Sequence, residues 1–193
     1  MDNSKPLVSV LMSVRNGEQT VEKSIKSILN QSYDYFEFLI VDDCSTDSTL
    51  EKLKILEKQD GRISIFTNSE NIGLTKSLNK LIKNTKGELI ARQDSDDYSN
   101  PERIYTQVRY LLKNNLDAVT SRALIIGSTK KIPGLSYFIP VKLLMKYKNP
   151  FIHGSLIIKK QVLNDLGLYD ENFYYAQDYK LYLDLLSNGY SIK

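Results

Sequence analysis

The chain has 193 residues, 41% hydrophobic and 25% charged, and its 26 Lys and Arg against 23 Asp and Glu leave a net charge of +3. That suits one domain with one buried core, and the charge is too mild and too dispersed to argue for nucleic acid, though it favours an anionic membrane surface or a phosphorylated substrate. A single cysteine, Cys44, excludes an internal disulfide framework, and with His153 the only histidine no zinc cluster of Cys and His can form.

The elements follow in order. After an N-terminus without a signal-peptide cleavage pattern, LVSVLMSV (7–14) is a nearly continuous apolar run, as in a strand buried on both faces of a parallel sheet. TVEKSIKSILNQ places Val21, Ile25, Ile28 and Leu29 at helical spacing. FEFLIVDD (36–43) reads as a second strand, and STDSTLEKLKILEKQ as a helix with Ser and Thr caps and a Leu50, Leu53, Leu56 stripe. RISIF (62–66) is a third strand, followed by a helix over GLTKSLNKLIKNTKG closed by Gly87. GELIARQ gives a fourth strand, after which Asn100 caps, Pro101 takes the first helical position and ERIYTQVRYLLKNN carries Ile104, Val108, Leu111 and Leu112 on one face. Strands alternating with helices predict parallel βαβ units in an open α/β sheet.

After residue 117 the pattern loosens. DAVTSRALIIGS reads as one or two strands, and 129–150, with three prolines, as a long connection holding a short helix near VKLLMKYK. HGSLIIKK returns to strand, QVLNDLG is a short helix, YYAQDYKLYLDLLSNG a longer one ending at Gly189, and YSIK begins another strand. No apolar run approaches the ~20 residues of a membrane span. The expectation is a soluble or peripheral protein of the reducing cytosol.

In open α/β sheets ligands bind beyond the carboxyl ends of the strands, and the polar residues gather there: SVRNGE, VDDCSTD, NSENIG and RQDSDD. Singly, each has an ordinary explanation. Asp42 and Asp43 before Ser45 and Thr46 also describe a turn and helix cap, Asn71 and Gly73 are common turn residues, and Asp97 suits a helix dipole. Asp94 and Asp96 alternate after a strand, which brings two oxygen ligands to one locus and suits a hard divalent cation. A lone D-x-D is a weak motif, and its conjunction with three other loaded strand ends strengthens it.

PLVSVLMSVRNGEQTVEKSIKSILNQSYDYFEFLIVDDCSTDST, NSENIGLTKSLNKLIKNTKGELIARQDSDD and HGSLIIKKQVLNDLGLYDENFYYAQDYKLYLDL closely resemble the family 2 glycosyltransferases of the GT-A fold, from Pro6 onward. The resemblance implies a single catalytic domain over 1–193, Rossmann-like with helices on both faces of a mostly parallel sheet. Residues 1–116 would form the nucleotide-sugar half, and 117–193 an acceptor-side half truncated at its C-terminus. It implies nucleoside contacts at Ser13 and Arg15 with Glu18 close by, and a base contact at Asp43 beside Asp42. Asn71, Gly73 and Asn79 would shape the pocket floor, and Asp94, Ser95 and Asp96 the diphosphate end, with Asp94 and Asp96 holding Mn²⁺ or Mg²⁺. Asp178 would be the general base, with His153 and Gln177 as candidate acceptor or diphosphate contacts. The implied donor is a nucleotide-diphosphate sugar, first of all a UDP-sugar. The implied acceptor is a saccharide or lipid-linked oligosaccharide of bacterial surface polysaccharide, at the inner face of the cytoplasmic membrane.

Such a reaction explains the crowded carboxylates, since the leaving diphosphate needs its charge neutralised and the acceptor hydroxyl needs a base. Asp178 also sits where any helix favours an acid, and a lone His before an apolar strand is often structural. Two residues depart from the family pattern: Gln177 stands where the pair usually has Glu, and Asp184 about where many members carry Arg. Without the Q-x-x-R-W of processive synthases, one sugar per encounter is expected. Lys142, Lys146 and Lys148 among Leu143, Leu144 and Met145 suit a lipid surface, or simply a short helix closing the core. The rivals are a catalytically weak, glycosyltransferase-like binding module and a nucleotidyltransferase, for which SVRNGEQT is a poor Gly-rich loop. A haloacid-dehalogenase-like phosphatase would need its D-x-D where Ser13, Val14 and Arg15 stand.

Overall fold

A computed structural model describes residues 5–134, 139–145, 147–173 and 175–193. Strands β1 (Val8–Val14), β2 (Phe36–Asp42), β3 (Ile63–Thr67) and β4 (Leu89–Arg92) alternate with helices α1 (Val21–Leu29), α2 (Thr49–Gln59) and α3 (Gly73–Ile82), and α4 (Arg103–Lys113) follows β4. β5 (Ala118–Val119) precedes a small hairpin, β6 (Ala123–Leu124) and β7 (Lys131–Ile132). Then come α5 (Val141–Leu144), a 3₁₀ turn at His153–Ser155, β8 (Ile157–Lys159), α6 (Lys160–Asp165) and α7 (Gln177–Ser187).

The main sheet runs β3-β2-β1-β4-β8-β5, with β1 to β4 parallel and β8 antiparallel to both its neighbours. The two-residue period of a strand divides its apolar side chains between two layers. Val8, Val10, Met12, Phe38, Ile40 and Ala91 pack against α1, α2 and α4, while Leu11, Leu39, Val41 and Ile90 pack against α3, α6 and α7. Each fully buried Val, Leu or Ile contributes about 1.5–3 kcal/mol, so runs apolar on both faces hold the centre of the sheet. This is the expected architecture, and one sheet joins residues 1–116 to residues 117–193.

Several boundaries differ from the sequence expectation. α3 stops at Ile82 with Lys83 as its cap, so Gly87 does not close it. Gly87 instead lies against β1, where its N–H donates to Ser9 Oγ at 2.9 Å and a Cβ would stand 2.7 Å from Leu7 O. α4 starts at Arg103 rather than at Pro101, although Asn100 Oδ1 does accept from the Glu102 N–H at 3.0 Å. α2 starts at Thr49, and the carboxylate that serves its first turn is Asp47, 3.0 Å from Thr49 N. His153–Ser155 turns before the strand begins, and Ile192 makes a single parallel bridge to Ala118. Of the basic cluster near α5, Lys148 is exposed, whereas Lys146 and the Lys142 side chain lie outside what the structure describes.

Candidate functional site

The chain leaves β1 toward β2 on one side and enters β4 on the other, so the crevice between the carboxyl ends of β1 and β4 is a topological switch point. Both edges of that crevice carry predicted residues. Half-buried Ser13 and exposed Arg15 end β1, and Asp94 and Ser95 follow β4. The two ends are stitched together: Ser24 Oγ donates to Asp94 O at 2.8 Å, and a Cβ on Gly17 would stand 3.7 Å from Ser95 Oγ.

The acidic cluster is anchored from beneath by an arginine the sequence reading passed over. Arg92, 1% exposed, donates through Nη1 to Leu11 O at 2.8 Å and through Nη2 to Asp94 Oδ1 at 2.6 Å. A charge inside the apolar strand LIAR must find an internal partner, and that was the available signal. Arg103 reaches the same locus from α4, its Nη2 3.3 Å from Gln93 Oε1. Desolvation lowers its guanidinium to about 10 although Asp94 and Asp97 pull the other way. Asp97 is raised above the usual carboxylate range by lost hydration and then by the charges of Asp94 and Asp96. Three carboxylates thus face two guanidinium groups, with exposed Asp96 and the second oxygen of Asp94 as two hard donors.

Among the described residues no three acidic, His or Cys side chains form a metal cage by themselves. Two carboxylates do fit a cation whose shell is completed by substrate phosphates and water, as Mg²⁺ commonly is.

Gly154 joins this cluster to the rest of the site. A Cβ there would stand 2.5 Å from Asp94 Oδ2 and 3.0 Å from Asp97 Oδ2, so only glycine lets the 3₁₀ turn lie against both carboxylates. The preceding His153 faces the other way, into a cleft of about 680 Å³ that Asn71, Gly73, Gln177 and Asp178 also line. That volume is within the ordinary range for a small-molecule site. His153 Nε2 shares a 2.7 Å hydrogen bond with the Tyr169 hydroxyl. Desolvation, and then the charge of Arg92, holds its imidazole well below the ordinary histidine range. Asp178 stands in the first turn of α7 and accepts from Asn149 Nδ2 at 2.7 Å. Asn149 was not singled out from sequence, because no local pattern relates it to a residue 29 positions on.

Other predicted residues are occupied by the fold. Asp43, 3% exposed, accepts from Asn68 Nδ2 at 2.8 Å, Ile72 N at 3.0 Å and Gly73 N at 2.8 Å, clamping the loop that starts α3. Asp42 accepts from Ser45 N at 3.1 Å, and its Oδ1 is buried with no partner among the described residues. Glu18 Oε2 accepts from Ser48 N at 3.1 Å, tying the β1 loop to the start of α2. Asn79 does not join the cleft. It is buried, and its amide holds Tyr169 N, Tyr169 O and Glu171 Oε1, bracing α3 against the 169–171 segment. Asp184 lies on a separate polar pocket and pairs with Lys180 at 2.6 Å.

The family model of Glycosyl transferase family 2 matches residues 9–178. An uncharacterized glycosyltransferase of Haemophilus influenzae is 34% identical over 95% of this chain and 61% of its own length. The Escherichia coli UDP-Glc:alpha-D-GlcNAc-diphosphoundecaprenol beta-1,3-glucosyltransferase WfgD is 32% identical over 95% of this chain and 71% of its own. The mannosyltransferase PcManGT from Pyrobaculum calidifontis, solved in complex with GDP-Man and Mn²⁺, superposes with a TM-score of 0.79 at 20% identity, covering 98% of this chain and 55% of that one. The chain therefore spans roughly three fifths of the first relative's length. The match over most of its residues, with the sheet order and loaded strand ends above, places the chain in glycosyl transferase family 2.

Proposed function

We propose that the chain is a divalent-cation-dependent, inverting glycosyltransferase moving one sugar per encounter from a nucleotide-diphosphate sugar to an acceptor hydroxyl. The single observation that carries this reading is the His153–Ser155 turn. One side of it packs on Asp94 and Asp97, and the other side shares a cleft with Asp178. A leaving diphosphate and an attacking hydroxyl need two such neighbouring but distinct loci.

The residues divide as follows. Arg92 fixes Asp94, which with Asp96 would hold Mn²⁺ or Mg²⁺. Such an ion neutralises the charge that develops on the departing diphosphate. Ser13, Arg15 and Ser95 stand at the crevice where the nucleoside and diphosphate would lie, and buried Asp42 and Asp43 hold the loops on the side of the base. Asp178, oriented by Asn149, accepts the proton of the acceptor hydroxyl as it attacks the anomeric carbon. No enzyme nucleophile is needed for a single displacement with inversion. Neutral His153, held by Tyr169, contributes a polar contact at the boundary of the two loci.

The relatives support a donor of this class, since WfgD is named for UDP-Glc and PcManGT was solved with GDP-Man. A UDP-sugar is the donor to test first. The acceptor named for WfgD is a sugar on a diphosphate-linked lipid. It supports a place in bacterial surface polysaccharide assembly at the inner face of the cytoplasmic membrane. Gln177 in place of an acid beside Asp178 favours a second reading, a nucleotide-binding module with little turnover.

Sugar transfer assayed with a panel of UDP-sugars and lipid-diphosphate saccharides separates the two. Asp178→Asn is expected to lower kcat by about 10²–10⁴-fold while leaving donor affinity unchanged. Transfer that survives this substitution would remove Asp178 as the base. Donor binding without any turnover in the parent chain would favour the module.

A further inference from the structure

The net charge of +3 conceals a sharp division along the chain. Residues 118–164 contain eight Lys and Arg and no Asp or Glu, which leaves 18 Lys and Arg against 23 Asp and Glu in the remainder. The sequence impression of dispersed charge is therefore corrected: the basic excess belongs to one stretch, which includes the β6–β7 hairpin and α5, while its Lys159 and Lys160, in β8 and α6, are engaged by Asp117 and Thr85 O.

The same stretch exposes aliphatic side chains with little reason to be in water. Leu124 is 61% exposed and Ile126 76%, at the tip of a hairpin whose paired residues are all exposed. Two strands of two residues each, with no packed face, cannot justify that composition by their own stability. On α5 and just beyond it, Leu143 is 51% exposed and Tyr147 81%. Hairpin base and helix are neighbours, because Pro133, Val141 and Leu144 line one groove of about 340 Å³. Lys130, Lys131 and Lys148 stand exposed among these apolar residues.

We propose that the face formed by the β6–β7 hairpin and α5 docks on an anionic lipid bilayer. Exposed aliphatic side chains gathered on two neighbouring elements point to an interaction site. Aliphatic tips flanked by lysines match an acyl boundary beneath anionic headgroups, where apolar burial and charge attraction add. A second copy of the chain would bring the same positive face against itself and be repelled. This surface deepens the membrane-face part of the proposed function and rests on that part alone.

Co-sedimentation of the full chain with phosphatidylcholine vesicles, with and without phosphatidylglycerol, tests it. Neither donor nor acceptor is present, so the outcome is separable from that of the transfer assay. Binding is expected only with phosphatidylglycerol, is expected to weaken with salt, and should fall by about tenfold or more in Leu124→Glu/Ile126→Glu and in Lys130→Glu/Lys131→Glu. Both pairs are exposed, so thermal unfolding should show an unchanged fold. Three outcomes would overturn the proposal: no preference for phosphatidylglycerol, binding indifferent to both double substitutions, or self-association without vesicles that the same substitutions abolish. The last would make the face an interface between copies.

Discussion

The ends of β2 and β4 both carry adjacent carboxylates, yet the fold treats them oppositely. At β2, three protein donors surround buried Asp43, and the loop leading into α3 depends on them. At β4, only Asp94 has an ion-pair partner among the described residues, Asp96 stands exposed, and Asp97 is raised by lost hydration and then by its acidic neighbours. Asp43 is committed to structure, whereas the three carboxylates after β4 are left with a charge that a ligand can relieve. Acidic residues at a strand end therefore mark a site according to how many donors the protein itself supplies.

The sharpest way to break this contrast is Asp96→Ala. With a divalent ion supplying several kcal/mol of charge stabilisation, kcat/KM should fall by about 10³-fold while unfolding free energy stays within about 0.5 kcal/mol of the parent. Retained activity would show that β4 does not carry the metal. Asp43→Ala should behave in the reverse sense, costing about 2–4 kcal/mol in chemical denaturation because three N–H groups lose their acceptor. A stable variant would mean that the clamp is dispensable.

Gly154→Ala tests the joint between the two loci. Its methyl would push Asp94 away from Arg92, and a loss of about 1–3 kcal/mol in stability together with weaker metal-dependent nucleotide binding is expected. Normal calorimetric titration of this variant would argue against the close approach.

The smallest effect belongs to Asp97→Asn. Because the Asp97 carboxyl is raised in the folded state, ionising it opposes folding, and this cost sets in as pH rises through the folded value. The Asn variant should melt slightly higher at neutral pH, and the difference should shrink as pH falls toward the usual carboxylate range. A difference that grows with acidity would reverse the assigned sign.

The first 116 residues were largely legible because their strands are long enough for apolar runs and their helices for a 3.6-residue stripe. β5 and β8 were legible as strands within DAVTSRALIIGS and HGSLIIKK, but at two and three residues their bounds were not, and no local pattern tells that β8 inserts antiparallel between β4 and β5. The site was legible as a place, since RQDSDD and VDDCSTD lie at strand ends. Which carboxylates are free was not legible, because that depends on Asn68, Arg92 and Gly154, brought in by tertiary contact. Asn79 shows the converse, a polar residue beside the site motifs whose bonds all go to a segment 90 residues away.

The insertion of β8 also bears on the order in which the molecule matures. Gly154 reaches Asp94 only once β8 has paired with β4, a contact between residues about 60 positions apart that is made late because long loops close slowly. A nascent chain that has released β1 to β4 thus carries every acidic residue of the proposed metal locus without the wall that shapes it. The two neighbouring loci of the proposed site therefore meet only when the residues beyond β4 have folded onto the sheet.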